Sequence, residues 1–411
     1  GRFTAEVVDW AGVNVFEANP DIIRHLKEAG RIIRHDTYEH NYPHCWRTDT
    51  PIIYKAISSW YVKVTDLRER MLELNAGINW VPDHVRDGRF GMWLEGARDW
   101  SISRNRFWGS PIPVWRSDDP AYPRIDVYGS LDEIEADFGI RPDDLHRPFI
   151  DHLTRPNPAD PTGESTMRRV PEVLDCWFES GSMPFAQFHY PFRNEAWFED
   201  HFPADFIVEY INQTRGWFYS LLAVATTVFD SPCYRSCLSL GLILDHEGKK
   251  MSKSRGNIVN PWDHFDREGA DAVRWYMVTA GAPWAELRFD PQRLRETFAR
   301  FFLTLWNTYR FHADYAALDD FDPGAEPPPL APLDRWALSR LAAVTEEYTS
   351  LFEQWRFHRA ARLLEEFLVD DVSNWYVRRS RRRLWSDAAS EDKAACQHTL
   401  HTLLATVCRL M

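Results

Sequence analysis

The chain has 411 residues, 44% of them hydrophobic and 14% aromatic, enough to bury a sizeable core spread over two or three domains. Its net charge of −13 argues against nucleic-acid binding over the whole surface. No apolar run is long enough to cross a bilayer: the longest, Phe218 to Phe229, is interrupted by Ser220, Thr226 and Thr227. Six cysteines (Cys45, Cys176, Cys233, Cys237, Cys396 and Cys408) form no CxxC pair, which predicts free thiols in a reducing cytosol rather than a secreted disulfide scaffold.

In chain order, Gly1 to Trp10 lacks the basic-then-apolar pattern of a secretion signal, and the start at Gly1 with an end inside Leu403 to Met411 predicts an internal fragment. Asn19-Pro20-Asp21 predicts a helix start, with Ile22, Ile23 and Leu26 at helical spacing and Gly30 closing it. Pro51 to Val64 reads as an extended return, so residues 1–65 form a mixed leader. Residues 116–170, rich in Pro, Asp and Arg, predict an irregular insertion with one short helix at Leu131 to Phe138. Asp205 to Ile211 is apolar on both faces, as in a strand of a covered parallel sheet. A helix over Gln213 to Phe229 and a strand over Leu238 to Leu244 complete a crossover unit, which places a doubly wound α/β sheet within residues 66–321. Helices follow over Gly269 to Ala280 and Pro291 to Tyr315. Three consecutive prolines, Pro327 to Pro329, mark a boundary, and residues 333–411 carry helical periodicity.

The strongest chemical signal is Lys250-Met251-Ser252-Lys253-Ser254, extended by Arg255-Gly256-Asn257, which follows a strand through the tight turn Asp245 to Gly248. Two lysines on a loop of small residues can neutralise a triphosphate as pyrophosphate leaves, and the hydroxyls of Ser252 and Ser254 can add donors. Its place after a sheet strand favours a ligand-binding role over a merely solvated basic loop, since ligands of open α/β sheets bind beyond the carboxyl ends of the strands.

This pentapeptide is the KMSKS signature of class I aminoacyl-tRNA synthetases, and further blocks extend the resemblance. Residues 100–113, Trp-Ser-Ile-Ser-Arg-Asn-Arg-Phe-Trp-Gly-Ser-Pro-Ile-Pro, resemble a block shared by isoleucyl and valyl enzymes. Residues 175–184 (Asp-Cys-Trp-Phe-Glu-Ser-Gly-Ser-Met-Pro) and 209–218 (Glu-Tyr-Ile-Asn-Gln-Thr-Arg-Gly-Trp-Phe) resemble isoleucyl blocks. Residues 374–383 resemble the opening of that family's anticodon-binding bundle, particularly in its archaeal and eukaryotic-like branch. The resemblance implies the second half of a Rossmann-type catalytic domain followed by a truncated α-helical anticodon-binding bundle. It also implies that the His-x-Gly-His half, and most of an editing domain, precede Gly1, with residues 1–65 as the path back from that editing insertion. Editing is expected because a pocket separates side chains differing by one methylene only weakly.

The resemblance implies activation of isoleucine with ATP and Mg²⁺ (the metal arriving with the substrate), then transfer to tRNA(Ile), by a monomeric cytoplasmic enzyme. Lys250 and Lys253 would act on the phosphates, with Met251, Ser252 and Ser254 beside them. Glu209, a carboxylate expensive to bury on a sheet face without a cation, would hold the substrate's ammonium group. Gln213 would bind the ribose; Asn212 stands where the family usually has Asp, losing a charge but keeping hydrogen-bonding capacity. Trp177 and Trp217 would wall the aliphatic side chain, whereas Trp60, Trp80, Trp93 and Trp100 are expected to pack.

Arg378, Arg379, Arg381 and Arg382 are candidates for tRNA phosphates. Five arginines in residues 378–383 cannot all face one way, so some are expected to pair with Glu365, Glu366, Asp370 or Asp371. His35, His40, His44 and Cys45 cluster, and some relatives carry a CxxC zinc pair in the segment matching residues 43–47. Thr48 replaces the second cysteine, so no zinc site is expected here. A valyl enzyme is the rival within the class; a non-catalytic tRNA-binding paralogue is the rival outside it.

Overall fold

The computed structural model describes residues 1–45, 48–386 and 390–411, with the side chain of Ser254 outside the description. Trp46 and Arg47 of the segment compared with the zinc pair therefore lie outside the described residues. Two compact units result, residues 1–60 and 61–411.

In the first unit, helix α1 (Val15–Glu28) starts before the expected Asn19-Pro20-Asp21 triplet. Asn14 is the cap, its Oδ1 accepting from the Phe16 amide at 2.9 Å. Pro20 is tolerated inside the helix, at the loss of one backbone bond. The predicted end holds: Gly30 has φ +66° and the Arg31 amide returns to the Leu26 carbonyl at 2.9 Å. His40 and His44 face neighbouring backbone carbonyls, those of Asn41 and Tyr42. Most of Pro51 to Val64 carries no regular structure; only Tyr61–Val62 is a strand.

In the second unit, β1 (Asn79–Val81) precedes the insertion, which is not irregular. Strands β2 (Val114–Ser117) and β3 (Ile125–Val127), helix α2 (Leu131–Phe138), and strands β4 (Arg155–Pro156) and β5 (Thr166–Arg169) build an antiparallel sheet ordered β3-β2-β5-β4. Trp115, Tyr128, Ile134, Ile150 and Met167 form its own core. Strands of two to four residues are too short to show alternation, so only α2, capped by Ser130, was readable locally.

Helix α3 (Cys176–Ala186) leads to β6 (Ile207–Tyr210), helix α4 (Trp217–Phe229) and β7 (Ser236–Leu240). The predicted crossover is present: β6 and β7 pair in parallel, with Glu209 opposite Ser239, and β1 flanks β7 in a sheet ordered β6-β7-β1. Three expectations need correction. Among the described residues β6 is an edge strand with Val208 39% exposed, so this chain by itself does not cover both its faces. The helix expected from Gln213 begins at Trp217, after a tight turn over Ile211–Arg215 and a break at Gly216. The strand expected over Leu238 to Leu244 divides into β7 and β8 (Ile243–Leu244), because β8 leaves the first sheet to pair with a different strand.

Helix α5 (Ala270–Thr279) precedes that partner strand, β9 (Leu287–Arg288). Residues Pro291–Thr297 then pass through a wider-wound turn, Phe298–Leu303, into α6 (Thr304–Leu318). Beyond the proline linker stand α7 (Pro332–Glu353), α8 (Phe357–Glu366), α9 (Arg378–Leu384) and α10 (Glu391–Leu410). Their shared core includes Leu341, Leu364, Leu368, Val372 and Leu400, and Trp275 of α5 joins it by stacking on Phe301 at 4.2 Å. Helix α5 and the bundle thereby share one hydrophobic cluster.

Helices α3 and α4 touch closely at Gly181. An added Cβ there would stand 2.7 Å from the Ser220 carbonyl oxygen and 2.9 Å from Val224. Gly181→Ala is therefore expected to cost about 1–3 kcal/mol in urea unfolding, as overpacking does.

His312 of α6 is buried beside Phe321 and His401. Burial, helped by His401, pushes its imidazole from 6.5 down to about 4. Between those values the unfolded chain binds the extra proton, so stability should fall as pH drops through that window. Replacing His312 with Phe should flatten this slope in denaturant titrations at pH 7 and pH 5.

Candidate functional site

Because β6 and β7 are parallel, residues 209–213 and the chain leaving Leu240 emerge at the same, carboxyl, end of the sheet. Residues 250–254 lie beyond β8. The loop is held by Asp245 and Asn257. Asp245 Oδ1 accepts from the amides of Glu247 and Lys249 at 3.0 and 2.7 Å. Asn257 Nδ2 donates to Asp245 Oδ2 at 2.7 Å and to the Lys250 carbonyl at 3.2 Å, while its Oδ1 accepts from the Ser252 amide at 3.0 Å. The Asn257 side-chain bond, then the Lys249 amide, hold the Asp245 carboxyl below its ordinary pKa. Asn257 had been noted only as an extension of the pentapeptide; its tie to Asp245, twelve residues away, has no local signature.

Ser252 Oγ accepts from the Arg255 amide at 3.3 Å and caps the turn Lys253–Arg255; Met251 Sδ accepts from the Val259 amide at 3.5 Å. These two side chains shape the loop. Lys250 and Lys253 are exposed, and neither has a carboxylate within ion-pair distance among the described residues. Ser254, also expected here, has its side chain outside the described residues.

Glu209 is exposed, its Oε2 accepting, among the described residues, only from the Tyr210 amide at 2.9 Å. Within this chain the expected burial is absent, because β6 stands at an edge of the sheet. Asn212 Oδ1 accepts from Arg89 Nη2 at 3.2 Å, and Arg89 Nε also reaches Thr214. Arg89 went unnoticed in the sequence, where nothing marks it among 48 basic residues. Gln213 Oε1 is committed to the Trp217 amide at 2.8 Å, so its acceptor is occupied in capping α4.

Trp177 of α3 is 40% exposed. An added Cβ on Gly216 would meet its ring at 3.0 Å and Gln213 Oε1 at 2.5 Å, so the absent side chain lets ring and turn close together. Trp217 donates its indole N–H to the Ser180 carbonyl at 3.3 Å. It also lines an apolar cavity of about 190 Å³ with Ile207, Leu221 and Trp197, to which Trp177 does not contribute.

On α9, Arg378, Arg379, Arg381 and Arg382 are exposed, and none forms an ion pair with the described residues. Arg379 lies over Trp375 at 4.8 Å. The inward arginine is Arg383, but its partners are Asp334 and Asp392, not the four acids expected from the sequence. Glu365 pairs instead with Arg300 and Asp371 with Arg340, contacts set by packing between helices.

Residues 8–290 match the family described as tRNA synthetases class I (I, L, M and V). The chain belongs to the class I tRNA synthetases. Residues 334–411 match the anticodon-binding domain of tRNA ligases, so this synthetase chain joins a catalytic α/β portion to a helical anticodon-binding portion. It is 54% identical to the isoleucine–tRNA ligase of Nocardia farcinica over 412 aligned positions, covering all of this chain and 39% of that protein. The ligase of Mycobacterium tuberculosis is 53% identical, again over 100% of this chain and 39% of the relative, and that of Rickettsia africae 51%, over 99% and 38%. The synthetase chain thus spans about two fifths of the length of these relatives, 39% for the first. Its fold is similar to M. tuberculosis methionyl-tRNA synthetase in complex with methionyl-adenylate, with a TM-score of 0.65 at 17% identity, over 90% of this chain and 62% of that one. It also resembles the Agrobacterium radiobacter leucyl enzyme in its ternary complex (TM-score 0.53, 19% identity, 80% and 43% coverage).

Proposed function

We propose that this chain supplies the second part of the ATP and amino-acid site of an isoleucine–tRNA ligase, which forms isoleucyl-adenylate and passes the isoleucyl group to the terminal ribose of tRNA(Ile). The observation that carries this reading is the 54% identity to an isoleucine–tRNA ligase along the whole chain. The amino acid's carboxylate attacks the α-phosphate of ATP in line and pyrophosphate leaves with its Mg²⁺. No protein nucleophile takes part; position and charge lower the barrier.

Lys250 and Lys253, without an acidic partner among the described residues and carried on a braced loop, supply positive charge to the departing phosphates. Glu209 holds the substrate ammonium group, and its exposure leaves it open to a ligand. Gln213 Nε2, with no partner among the described residues, binds the ribose while Oε1 keeps the turn in place. Trp177 and Trp217 wall the side chain, and the exposed arginines of α9 meet tRNA phosphates. Residues 1–65 return from the editing insertion, residues 66–321 are catalytic, and residues 333–411 open the anticodon-binding domain.

The test is isoleucine-dependent ATP–pyrophosphate exchange by the full-length protein, with valine as competitor. Exchange driven by isoleucine and lost on Glu209→Ala supports the reading. Faster exchange with valine would make it a valyl enzyme, and tRNA binding without any exchange would leave a non-catalytic paralogue.

A further inference from the structure

A cavity of about 520 Å³ lies between the small antiparallel sheet and residues 189–193. Ile112, Leu131, Leu145, Ile150 and Phe192 give it an apolar lining. Arg169 forms part of the same wall, with only 1% of its side chain exposed.

The charges around this wall do not balance. Asp151 accepts from Arg169 Nε at 2.6 Å and from Arg147 Nε at 2.7 Å. Among the described residues it is the one carboxylate within ion-pair distance of either guanidinium, so two positive charges share a single negative one. Arg169 Nη1 reaches the carbonyls of Ile112 and Glu172, at 3.4 and 3.0 Å, and its Nη2 is buried with no hydrogen-bond partner among the described residues. An excess of positive charge behind an apolar wall favours an anionic group in the cavity. At the rim, Arg193 is exposed and has no acidic partner among the described residues, whereas Arg141 is already held by Asp132 and Glu135.

We propose that this cavity is a binding site for a small molecule with an apolar body and a single carboxylate, the carboxylate meeting Arg193 at the rim while the positive charge shared by Arg147 and Arg169 lies behind the wall. The site is separate from the residues 209–217 and 250–254 that serve the adenylate reaction, and it stands whether or not that reading holds. Nonpolar lining with a few convergent polar groups is the usual composition of a small-ligand pocket. A hydrogen bond to a charged partner adds about 1.5–3 kcal/mol, which corresponds to roughly a tenfold to hundredfold gain in affinity.

The experiment is isothermal titration of the 411-residue chain with 4-phenylbutyrate and with its neutral counterpart 4-phenylbutan-1-ol. The acid is expected to bind at least about tenfold more tightly than the alcohol, and Arg193→Met should abolish that preference. Leu145→Trp, a substitution at a half-exposed lining position, should block both compounds without disturbing the core. Equal affinity for acid and alcohol, no saturable binding of either, or binding unaffected by Leu145→Trp would each overturn the proposal.

Discussion

Lys253→Ala is expected to lower isoleucine-dependent pyrophosphate exchange in the full-length protein by about a hundredfold to a thousandfold, the usual consequence of removing one charge-stabilising donor from a transition state. The size of the effect follows from how the loop is built. Lys253 sits on a turn whose backbone is fixed by Ser252 Oγ, and Asn257 ties that turn to the buried carboxylate of Asp245. A flexible lysine would have to be ordered anew in each turnover, whereas here only its side chain remains to be placed. Binding of tRNA should change little, because the arginines proposed for that contact lie on α9. Unchanged exchange in Lys253→Ala would remove the role proposed for this loop.

Asp334→Ala is expected to destabilise the chain by about 3–5 kcal/mol, the range for breaking one side of a buried ion pair. Asp334 is fully buried at the start of α7 and accepts from Arg383 Nη1 and Nη2, each at 2.7 Å, and from the Tyr376 hydroxyl at 2.7 Å. Removing the carboxylate leaves a largely buried guanidinium and a buried phenol with lost partners. Burial pushes the Asp334 carboxyl up, but the bonds from Arg383 and Tyr376 outweigh it and hold the pKa below its usual 3.8. The folded state therefore keeps this proton off longer than the unfolded chain does. The stabilisation is complete above the ordinary carboxylate range and is lost as pH falls through the lower folded value, below the His312 window. Urea unfolding at pH 7 would reveal the loss, and a cost under about 1 kcal/mol, the level of a surface pair, would contradict it.

Features written in contiguous residues were legible without a structure. The end of α1 at Gly30, helix α2 and the proline linker follow from the conformations those residues allow locally. The parallel crossover of β6 and β7 was readable because strand, helix and strand follow one another closely in the chain. The pentapeptide at 250–254 and the blocks around it marked the family for the same reason: each is an unbroken run whose order survives in the sequence.

What the sequence did not contain was which residues meet across it. A run such as residues 205–211 reads alike for a covered strand and for an edge strand, and only the neighbours of β6 within this chain leave Glu209 exposed in it. The arginines of residues 378–383 are chemically equal; the placement of Asp334 and Asp392 against one face of α9 drew Arg383 inward and left Arg378, Arg379, Arg381 and Arg382 in solvent. The close approach at Gly181, the bracing of the lysine loop by Asn257 and the unbalanced charge at Arg169 likewise depend on partners distant in the chain or on another element. Burial and pairing are properties of three-dimensional neighbours, so the sequence by itself determined the family and the order of elements, and the tertiary structure alone decided which charges stand free to bind.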